Sequence, residues 1–285
     1  MVVFHLVRHF HIEALKFNFE TERWGKTECN LNDRLGFCSS EINKKIYLVG
    51  GCNSNDEILS SVDIVDKNFQ TTKASSMNIG RTFHGMCGFD DRFLLVAGGS
   101  DDFHSHPLGH AKHTKSCEIY DSFTDKWEKT SDLIVDRVGF SLLYFNGKIL
   151  AIGGCNEKRE VLDTIESYDI KTKKWEIWST KLMRGRFRNG AIAFDDKFYV
   201  FGGVFPPSYL CKTMEMYSLE TGQFTYVKPI PVPIYNVCCR KDNCIYVFGR
   251  TEQPTDVQIY NTELDLWTTG ISLPHEVEVL SACNL

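Results

Sequence analysis

The stretch YDSFTDKW, from Tyr120 to Trp127, recurs along this 285-residue chain. Two further clear copies are Tyr168–Trp175 (YDIKTKKW) and Tyr260–Trp267 (YNTELDLW), and three weaker copies are Phe17–Trp24, Tyr217–Phe224 and Val65–Thr72. The copies end at positions 24, 72, 127, 175, 224 and 267, so the period lies between 43 and 55 residues. A period of this length predicts stacked supersecondary units, each of which buries its apolar face against its neighbours.

A second feature keeps the same period: an apolar run that ends in two glycines. Four copies are complete, namely IYLV before Gly50–Gly51, LLVA before Gly98–Gly99, ILAI before Gly153–Gly154 and FYVF before Gly202–Gly203. A fifth run, YVF, is followed by Gly249 and Arg250. Four consecutive apolar residues are typical of a strand buried on both faces, and glycines allow positive φ and close backbone approach. Each unit is therefore predicted to contain a buried strand that ends in a sharp turn.

Together these features resemble the kelch repeat, in which an arginine-led strand, an apolar strand with a glycine pair, a tyrosine and a tryptophan follow one another. The resemblance extends over nearly the whole chain, and the repeat arginines are Arg34, Arg81, Arg137 and Arg186. It implies an all-β fold, a β-propeller of four-stranded blades around a central channel. We expect the tryptophans to lie between blades as buried wedges, since aromatic rings bury a large area. We expect the arginines to be structural and to pair with acidic groups or carbonyls between blades.

The two ends of the chain predict how the ring closes. VVFHLV (Val2–Val7) stands where other repeats have the strand before the glycines, whereas EVEVLSACNL (Glu276–Leu285) stands where they have their innermost strand. We therefore predict a single domain of residues 1–285, a six-bladed propeller whose first blade is completed by the C-terminal strand. Such closure removes a free sheet edge. The expected blade segments are 1–30 with 274–285, 31–78, 79–133, 134–182, 183–230 and 231–273.

Composition excludes several classes of protein. The net charge of −5 argues against a general nucleic-acid binder. The sequence contains no run of about 18 apolar residues, so we expect no membrane span. The eleven cysteines show no CxxC pair, so we expect reduced and mostly buried thiols rather than a disulfide framework. These features predict a cytoplasmic protein, with a cytoskeletal or nuclear location as alternatives.

The sequence contains no catalytic motif of the serine hydrolase, zinc protease or P-loop type, so we expect no enzyme activity, no catalytic residue and no cofactor. The insertion Ser100–Lys115 carries four of the nine histidines: His104, His106, His110 and His113. Imidazoles suit zinc or copper, but their spacing matches no structural zinc module. The favoured interpretation is a polar loop without a metal, and a metal site is the alternative.

The spacer ASSMNIGRTFHGM (Ala74–Met86) resembles the segment between blades in the BTB–Kelch adaptors of cullin-3 ubiquitin ligases. That resemblance implies that the loop face around the channel mouth binds a protein or peptide partner. Two groups of positions are implied: those two residues after the repeat arginine, and those that follow the glycine pair. The predicted partner-binding residues are Phe83, Arg188, Phe205, Tyr235, Arg250, Asn53, Asp101 and Asn156. Gly36 and Gly139, at the first kind of position, contribute no side chain.

The predicted function is therefore a protein–protein interaction module, either the substrate-recognition propeller of a BTB–Kelch ligase adaptor or a stand-alone kelch scaffold. No BTB or BACK segment occurs in the sequence, so a link to cullin-3 would require a BTB domain outside this chain. The alternatives are an actin- or cytoskeleton-associated kelch protein, and a kelch-fold enzyme such as an isomerase, a lyase or a metal oxidase.

Overall fold

A computed structural model describes residues 1–8, 11–27, 29, 31–102, 112–205, 209–231, 237–248, 256–274 and 278–283. These residues form six antiparallel four-stranded sheets and one short hairpin, and they contain no helix. No described segment, accordingly, has the long apolar helix needed to cross a membrane. The predicted all-β, six-bladed β-propeller is confirmed.

Each sheet is one blade, and its strands are given from the channel outward. Blade 2 contains β4 (Cys38–Ile42), β5 (Lys45–Val49), β6 (Val62–Val65) and β7 (Thr71–Ala74). Blade 3 contains β8 (Gly85–Phe89), β9 (Phe93–Ala97), β10 (Cys117–Asp121) and β11 (Lys126–Thr130). Blade 4 contains β12 (Ser141–Phe145), β13 (Lys148–Ile152), β14 (Ile165–Asp169) and β15 (Lys174–Ile177).

Blade 5 contains β16 (Gly190–Ala193), β17 (Lys197–Phe201), β20 (Met214–Ser218) and β21 (Gln223–Val227). The hairpin of β18 (Val204–Phe205) and β19 (Tyr209–Leu210) lies in the loop between its second and third strands. Blade 6 contains β22 (Val237–Lys241), β23 (Cys244–Phe248), β24 (Val257–Asn261) and β25 (Leu266–Thr269).

Blade 1 is assembled from both ends of the chain, as predicted. Its strands, from the channel outward, are β26 (Glu278–Cys283), β1 (Val2–Arg8), β2 (His11–Asn18) and β3 (Arg23–Thr27). β26 pairs with β1 in an antiparallel register that sets Val2 opposite Cys283. The innermost strands of successive blades lie side by side in the order β26, β4, β8, β12, β16, β22 and back to β26. The ring is therefore closed.

The seven-residue spacing of the aromatic repeat is the geometry of the outer hairpin of each blade. Tyr120 pairs with Trp127 across that hairpin, and their ring centroids lie 5.1 Å apart. The same pairing occurs in blades 1, 4, 5 and 6. In blade 2 the ends of the weaker copy Val65–Thr72 do not pair with each other, because Val65 pairs with Thr71 and Ile64 with Thr72. The outer hairpin of blade 2 has no aromatic pair at this position.

The tryptophans connect neighbouring blades. The indole Nε1 of Trp175 donates a hydrogen bond of 3.2 Å to the carbonyl oxygen of Ser131, just after the last strand of blade 3. Equivalent bonds in blades 1, 3 and 6 join Trp24 to Ile271, Trp127 to Ser75 and Trp267 to Lys228. The prediction of inter-blade wedges is confirmed, although Trp175 is buried whereas Trp127 is half-buried.

The four repeat arginines are fully buried, and each is bound by its own blade. Arg81 donates to the carbonyl oxygens of Gly98 and Ser116, at 2.9 and 2.8 Å, and to the Glu118 carboxylate at 2.7 Å. The corresponding acidic partners in blades 2, 4 and 5 are Asp63, Glu166 and Glu215. The prediction that these ion pairs join different blades is corrected, since each acid lies in the third strand of the blade that its arginine enters.

The connection between blades runs through the arginine backbone and the glycine pair. The N–H of Gly99 donates to the carbonyl of Arg137 at 2.9 Å, so blade 3 is bound to the segment that enters blade 4. Gly51 and Gly154 make the same bond to Arg81 and Arg186. Gly98 has a φ of 61°, and a Cβ there would lie 2.7 Å from the Arg137 carbonyl oxygen. Only glycine allows this approach.

All eleven cysteines lie among the described residues, and none forms a disulfide. Seven are buried and four are half-buried. Burial raises the pKa of the Cys38, Cys87 and Cys238 thiols to about 12, so they stay protonated and neutral at physiological pH. The prediction that the thiols are mostly buried is confirmed.

Removal of residues 276–285 should leave the inner edge of β1 unpaired and expose its apolar residues Val2, Val3 and Phe4, which are now fully buried. We expect aggregation and a lower melting temperature, because an exposed apolar edge pairs with other chains. Light scattering after size-exclusion chromatography and thermal unfolding provide the measurement. A monomeric truncated protein with an unchanged melting temperature would contradict closure by β26.

Replacement of Trp175 by alanine should lower the free energy of unfolding by about 3–5 kcal/mol, because it leaves a cavity between blades 3 and 4. Denaturant titration of the purified variant measures this loss. Phe123→Ala is the control, since Phe123 is 68% exposed at the tip of a turn in blade 3 and should change stability little. A loss below about 1 kcal/mol for Trp175→Ala would mean that the ring is not part of the core.

His84 makes stability depend on pH. Burial, together with the charge of Arg81, lowers the pKa of this imidazole from its ordinary 6.5 to about 3. The unfolded chain therefore binds a proton below about pH 6.5 that the folded chain does not bind until about pH 3, so folding free energy is lost as pH falls through this window.

Phe37 and Phe140 occupy the position of His84 in blades 2 and 4, three residues after the repeat arginine. His84→Phe should therefore reduce the loss of stability between about pH 6.5 and pH 4, measured by urea denaturation across that range. An identical pH profile for the variant and the natural protein would show that His84 does not titrate in this way.

Candidate functional site

The two ends of the propeller differ in the kind of chain that they carry. The short turns between the first and second strands of a blade, and between its third and fourth strands, lie at one end. The connections between blades and the loops after the glycine pairs lie at the other end, which we call the loop face. Loops held by a rigid scaffold commonly carry binding residues. The predicted partner-binding residues that the structure describes all belong to the loop face, namely Asn53, Phe83, Asp101, Asn156, Arg188 and Phe205.

Around the channel mouth, four residues from successive blades form a hydrogen-bonded arc, which we call the mouth arc: Gly36, Phe83, Gly139 and Arg188. Phe83 N donates to Gly36 O at 3.0 Å, Gly139 N to Phe83 O at 2.9 Å, and Arg188 N to Gly139 O at 2.5 Å. Each residue lies two positions after a repeat arginine. The sequence predicted this set of positions, and the structure brings them together edge to edge.

All four residues of the mouth arc have left-handed backbones, with φ values of 65°, 53°, 59° and 54° in chain order. This conformation suits Gly36 and Gly139, but it is strained for residues that carry a Cβ. Phe83 and Arg188 therefore occupy positions where the backbone favours glycine. Strain of this kind persists only when the surrounding structure fixes it, and it concentrates at functional sites.

The side chains of Phe83 and Arg188 meet above Gly139. The Arg188 guanidinium carbon lies 5.3 Å from the centroid of the Phe83 ring, within the range of a cation–π interaction. A Cβ on Gly139 would lie 3.4 Å from Arg188 Cγ, so a side chain there would crowd the arginine stem. Both side chains are half-buried. The two predicted residues thus form one surface feature, not two separate contacts.

A second arginine–aromatic stack lies on blade 5. Phe205 belongs to the β18–β19 hairpin, and the guanidinium carbon of Arg184 lies 3.3 Å from its ring centroid. The sequence predicted Phe205 as a contact residue but missed Arg184, although Arg184 belongs to the basic stretch KLMRGRFR at Lys181–Arg188. The signal available was this concentration of arginines just before a strand. Arg184 itself is exposed.

Asn53 and Asn156 use their side chains to shape their own loops. The amide Nδ2 of Asn53 donates to Glu57 at 2.7 Å, and its Oδ1 accepts from the backbone N–H groups of Asn55 and Glu57, both at 3.0 Å. Asn156 makes the same bonds to Glu160 in blade 4. These amides hold the loops after the glycine pairs in shape. Their role as partner contacts stays a prediction.

The structure describes the two ends of the histidine-rich insertion. Asp101 is exposed, whereas His113 is buried and its Nδ1 lies 3.3 Å from the Asp136 carboxylate. His104, His106 and His110 lie outside the described residues, as do Tyr235 and Arg250. Within the described part of the chain, no group of three or more His, Cys, Asp or Glu side chains is placed to hold a metal ion. His113 fastens the base of this loop.

The loop face offers binding chemistry: two arginine–aromatic stacks and an apolar floor. The floor is formed by Val138, Cys155 and Phe187, against which Phe83, Val161 and Val204 pack. Burial, its largest cause, raises the pKa of the Cys155 thiol to about 11, so this cysteine is neutral and acts as an apolar residue.

Comparison with known proteins agrees with this architecture. The family model described as the KLHDC2/KLHL20/DRC7 Kelch-repeats domain matches residues 109–277, and the Kelch motif matches residues 33–71. A solved structure titled "Structure of YjhT" superposes with a TM-score of 0.73 over 90% of this chain and 89% of that chain. Its sequence identity is 15%, so it supports the fold alone.

Curated relatives are longer than this chain. Kelch-like protein 25 of Xenopus tropicalis is 22% identical over 251 residues, which cover 86% of this chain and 42% of the relative. Beta-scruin of Limulus polyphemus is 22% identical, with 84% and 28% covered. Kelch repeat and BTB domain-containing protein 8 of Homo sapiens is 26% identical, with 65% and 30% covered. The chain thus spans less than half the length of these relatives.

These relatives support a protein-interaction module as the general function of the propeller. The first family model covers more than half of the sequence and includes the clear aromatic repeats of blades 3, 4 and 6. The chain therefore belongs to the KLHDC2/KLHL20/DRC7 Kelch-repeats domain family, and it is a kelch-repeat β-propeller.

Proposed function

We propose that this propeller is a protein-binding module whose partner lies across the channel mouth on the loop face. The observation that carries the proposal is the backbone of the mouth arc. Phe83 and Arg188 hold bulky side chains at left-handed positions where glycine would be more stable. A chain that keeps such residues at a cost in stability is expected to use them.

The chemistry of the mouth supports a protein partner. Aromatic and arginine side chains dominate the energy of many protein interfaces when they lie near the centre of a desolvated contact. The stack of Arg188 on Phe83 and the stack of Arg184 on Phe205 support the proposal, because they bring both residue types to the loop face. Tyr235 and Arg250 remain proposed contacts by their position in the repeat.

We further propose that the propeller serves as the substrate receptor of a ubiquitin-ligase adaptor. The support is the similarity to Kelch-like proteins and to a relative whose name includes a BTB domain. In such an assembly, a BTB domain would supply the link to cullin-3, and the propeller would supply the specificity. A cytoplasmic location is part of the ligase-adaptor proposal. The alternative hypotheses are a cytoskeleton-associated kelch protein and a kelch-fold enzyme.

Exchange of the two strained residues for glycine separates binding from stability. Phe83→Gly combined with Arg188→Gly should weaken binding of a partner, first captured with the propeller as bait and then purified, by at least about 2 kcal/mol, roughly thirtyfold. Arg188→Gly alone should leave the melting temperature unchanged or raised, because it relieves a left-handed backbone. Calorimetric titration and thermal unfolding measure the two effects.

The control is the pair Lys173→Ala and Glu263→Ala, two exposed residues in turns at the opposite end of the blades. This pair should alter affinity little, as is usual for single charges on a surface. If the turn pair abolishes binding while the mouth pair keeps it, the partner binds elsewhere and the proposed site is wrong.

A further inference from the structure

A second cleft lies at the seam where blade 6 meets blade 1, and none of its lining residues belongs to the mouth arc. We call it the seam cleft. Its volume is about 300 Å³, a size that suits a small ligand or one side chain. Three half-buried aromatic residues line it: Phe19 and Trp24 from blade 1 and Tyr246 from blade 6. Val257, Ile259 and Ile271 complete an apolar wall.

The rings around the seam cleft are held at steep angles to one another. Phe19 and Tyr246 are edge to face, with centroids 5.6 Å apart and an interplanar angle of 79°. Phe17, which is buried behind them, is perpendicular to Phe19 and lies 4.9 Å from the Trp24 ring. The Trp24 N–H is already bonded to the Ile271 carbonyl, so the orientation of the indole is fixed. Several ring faces are therefore held around one small space.

The seam cleft is lined by one carboxylate and by Met1, whose α-amino group donates a hydrogen bond to the carbonyl oxygen of Phe17. Glu22 is the one acidic or basic side chain among the described residues that line it, and it is exposed at the rim. The Lys241 ammonium, which does not line the cleft, lies 5.8 Å from the centroid of Phe19, so a ring of this group already faces a cation. Aromatic faces carry negative electrostatic potential and attract cations, most strongly those that shed water easily.

From this juxtaposition we propose that the seam cleft binds a quaternary ammonium group, either on a small amine or on a trimethylated lysine. Three aromatic rings supply the cation–π surface, and the Glu22 carboxylate supplies the opposite charge. The apolar wall accepts the methyl groups. This site is independent of the partner site at the channel mouth, so the failure of one proposal leaves the other standing.

Isothermal titration of the whole chain with choline tests the proposal against a neutral isostere. The isostere is dimethylbutanol, in which a tert-butyl group replaces the trimethylammonium group. Choline should bind at least about tenfold more tightly, because only the cation gains from the ring faces and from Glu22. Equal binding of the two would show a merely apolar cleft, and absence of choline binding would overturn the proposal as well.

Two point variants locate the binding. Phe19→Leu keeps the apolar character but removes a ring, and Glu22→Gln removes the charge; each should weaken choline binding about fivefold or more. The matched controls are Phe123→Leu, at a turn of blade 3, and Glu20→Gln, in the same turn as Glu22 but outside the cleft lining. If a control variant weakens binding as much as its counterpart, the ligand does not lie in the seam cleft.

A parallel titration with trimethyllysine and with unmodified lysine distinguishes the two sources of the group. Tighter binding of trimethyllysine than of lysine indicates that the cleft accepts a modified side chain. Binding of choline without trimethyllysine indicates a small free amine. Equal binding of lysine and trimethyllysine would mean that methylation is not recognised and would overturn the proposal.

Discussion

The repeat arginine is the residue on which the ring depends, because it binds two blades at once. Its guanidinium is fully buried in its own blade, where it meets two backbone carbonyls and a carboxylate, as Arg81 does with Gly98, Ser116 and Glu118. Its backbone carbonyl accepts the N–H of the second glycine of the preceding blade, as in the bond from Gly51 to Arg81. Loss of either charged partner would leave the other buried and unpaired, at a cost of about 3–5 kcal/mol. Arginine and glycine therefore function as one unit.

This unit also explains how the channel mouth holds a strained conformation. The mouth arc lies two residues beyond the arginine, so its backbone is fixed on one side by a buried ion pair and on the other by the neighbouring blade. Phe83 and Arg188 cannot relax without disturbing these bonds. A rigid frame that over-determines a few backbone angles can present bulky side chains with little loss of entropy on binding. The architecture therefore favours recognition by pre-organised residues over recognition by mobile loops.

The features that recur from blade to blade could be predicted from the sequence. The recurring aromatic residues, such as Tyr120 and Trp127, revealed the repeat and face each other across the outer hairpin. The position of Glu276–Leu285 within that repeat predicted that β26 completes the first blade. In blade 2, where the aromatic pair is absent, the register differs by one residue, with Val65 opposite Thr71. Contacts confined to one or two blades could not be predicted from the repeat. The Arg184–Phe205 stack depends on the path of one hairpin, and the hydrogen bonds of the Asn53 amide depend on the shape of one loop. The repeated residues specify the scaffold, whereas the candidate binding site is formed by residues that differ from one repeat to the next.

The closure of blade 1 by β26 sets an order of events during synthesis. Blades 2 to 5 are each contiguous in sequence and each contain an arginine–acid pair, so they are able to form as the chain leaves the ribosome. The strands β1, β2 and β3 must wait for Glu278–Cys283, which follows all the other strands of the propeller in chain order. Blades 6 and 1 also lack the ion pair, since Gln258 and Leu15 occupy the position of the acid. The nascent propeller therefore exposes the apolar edge of β1 until this last strand, β26, is synthesised.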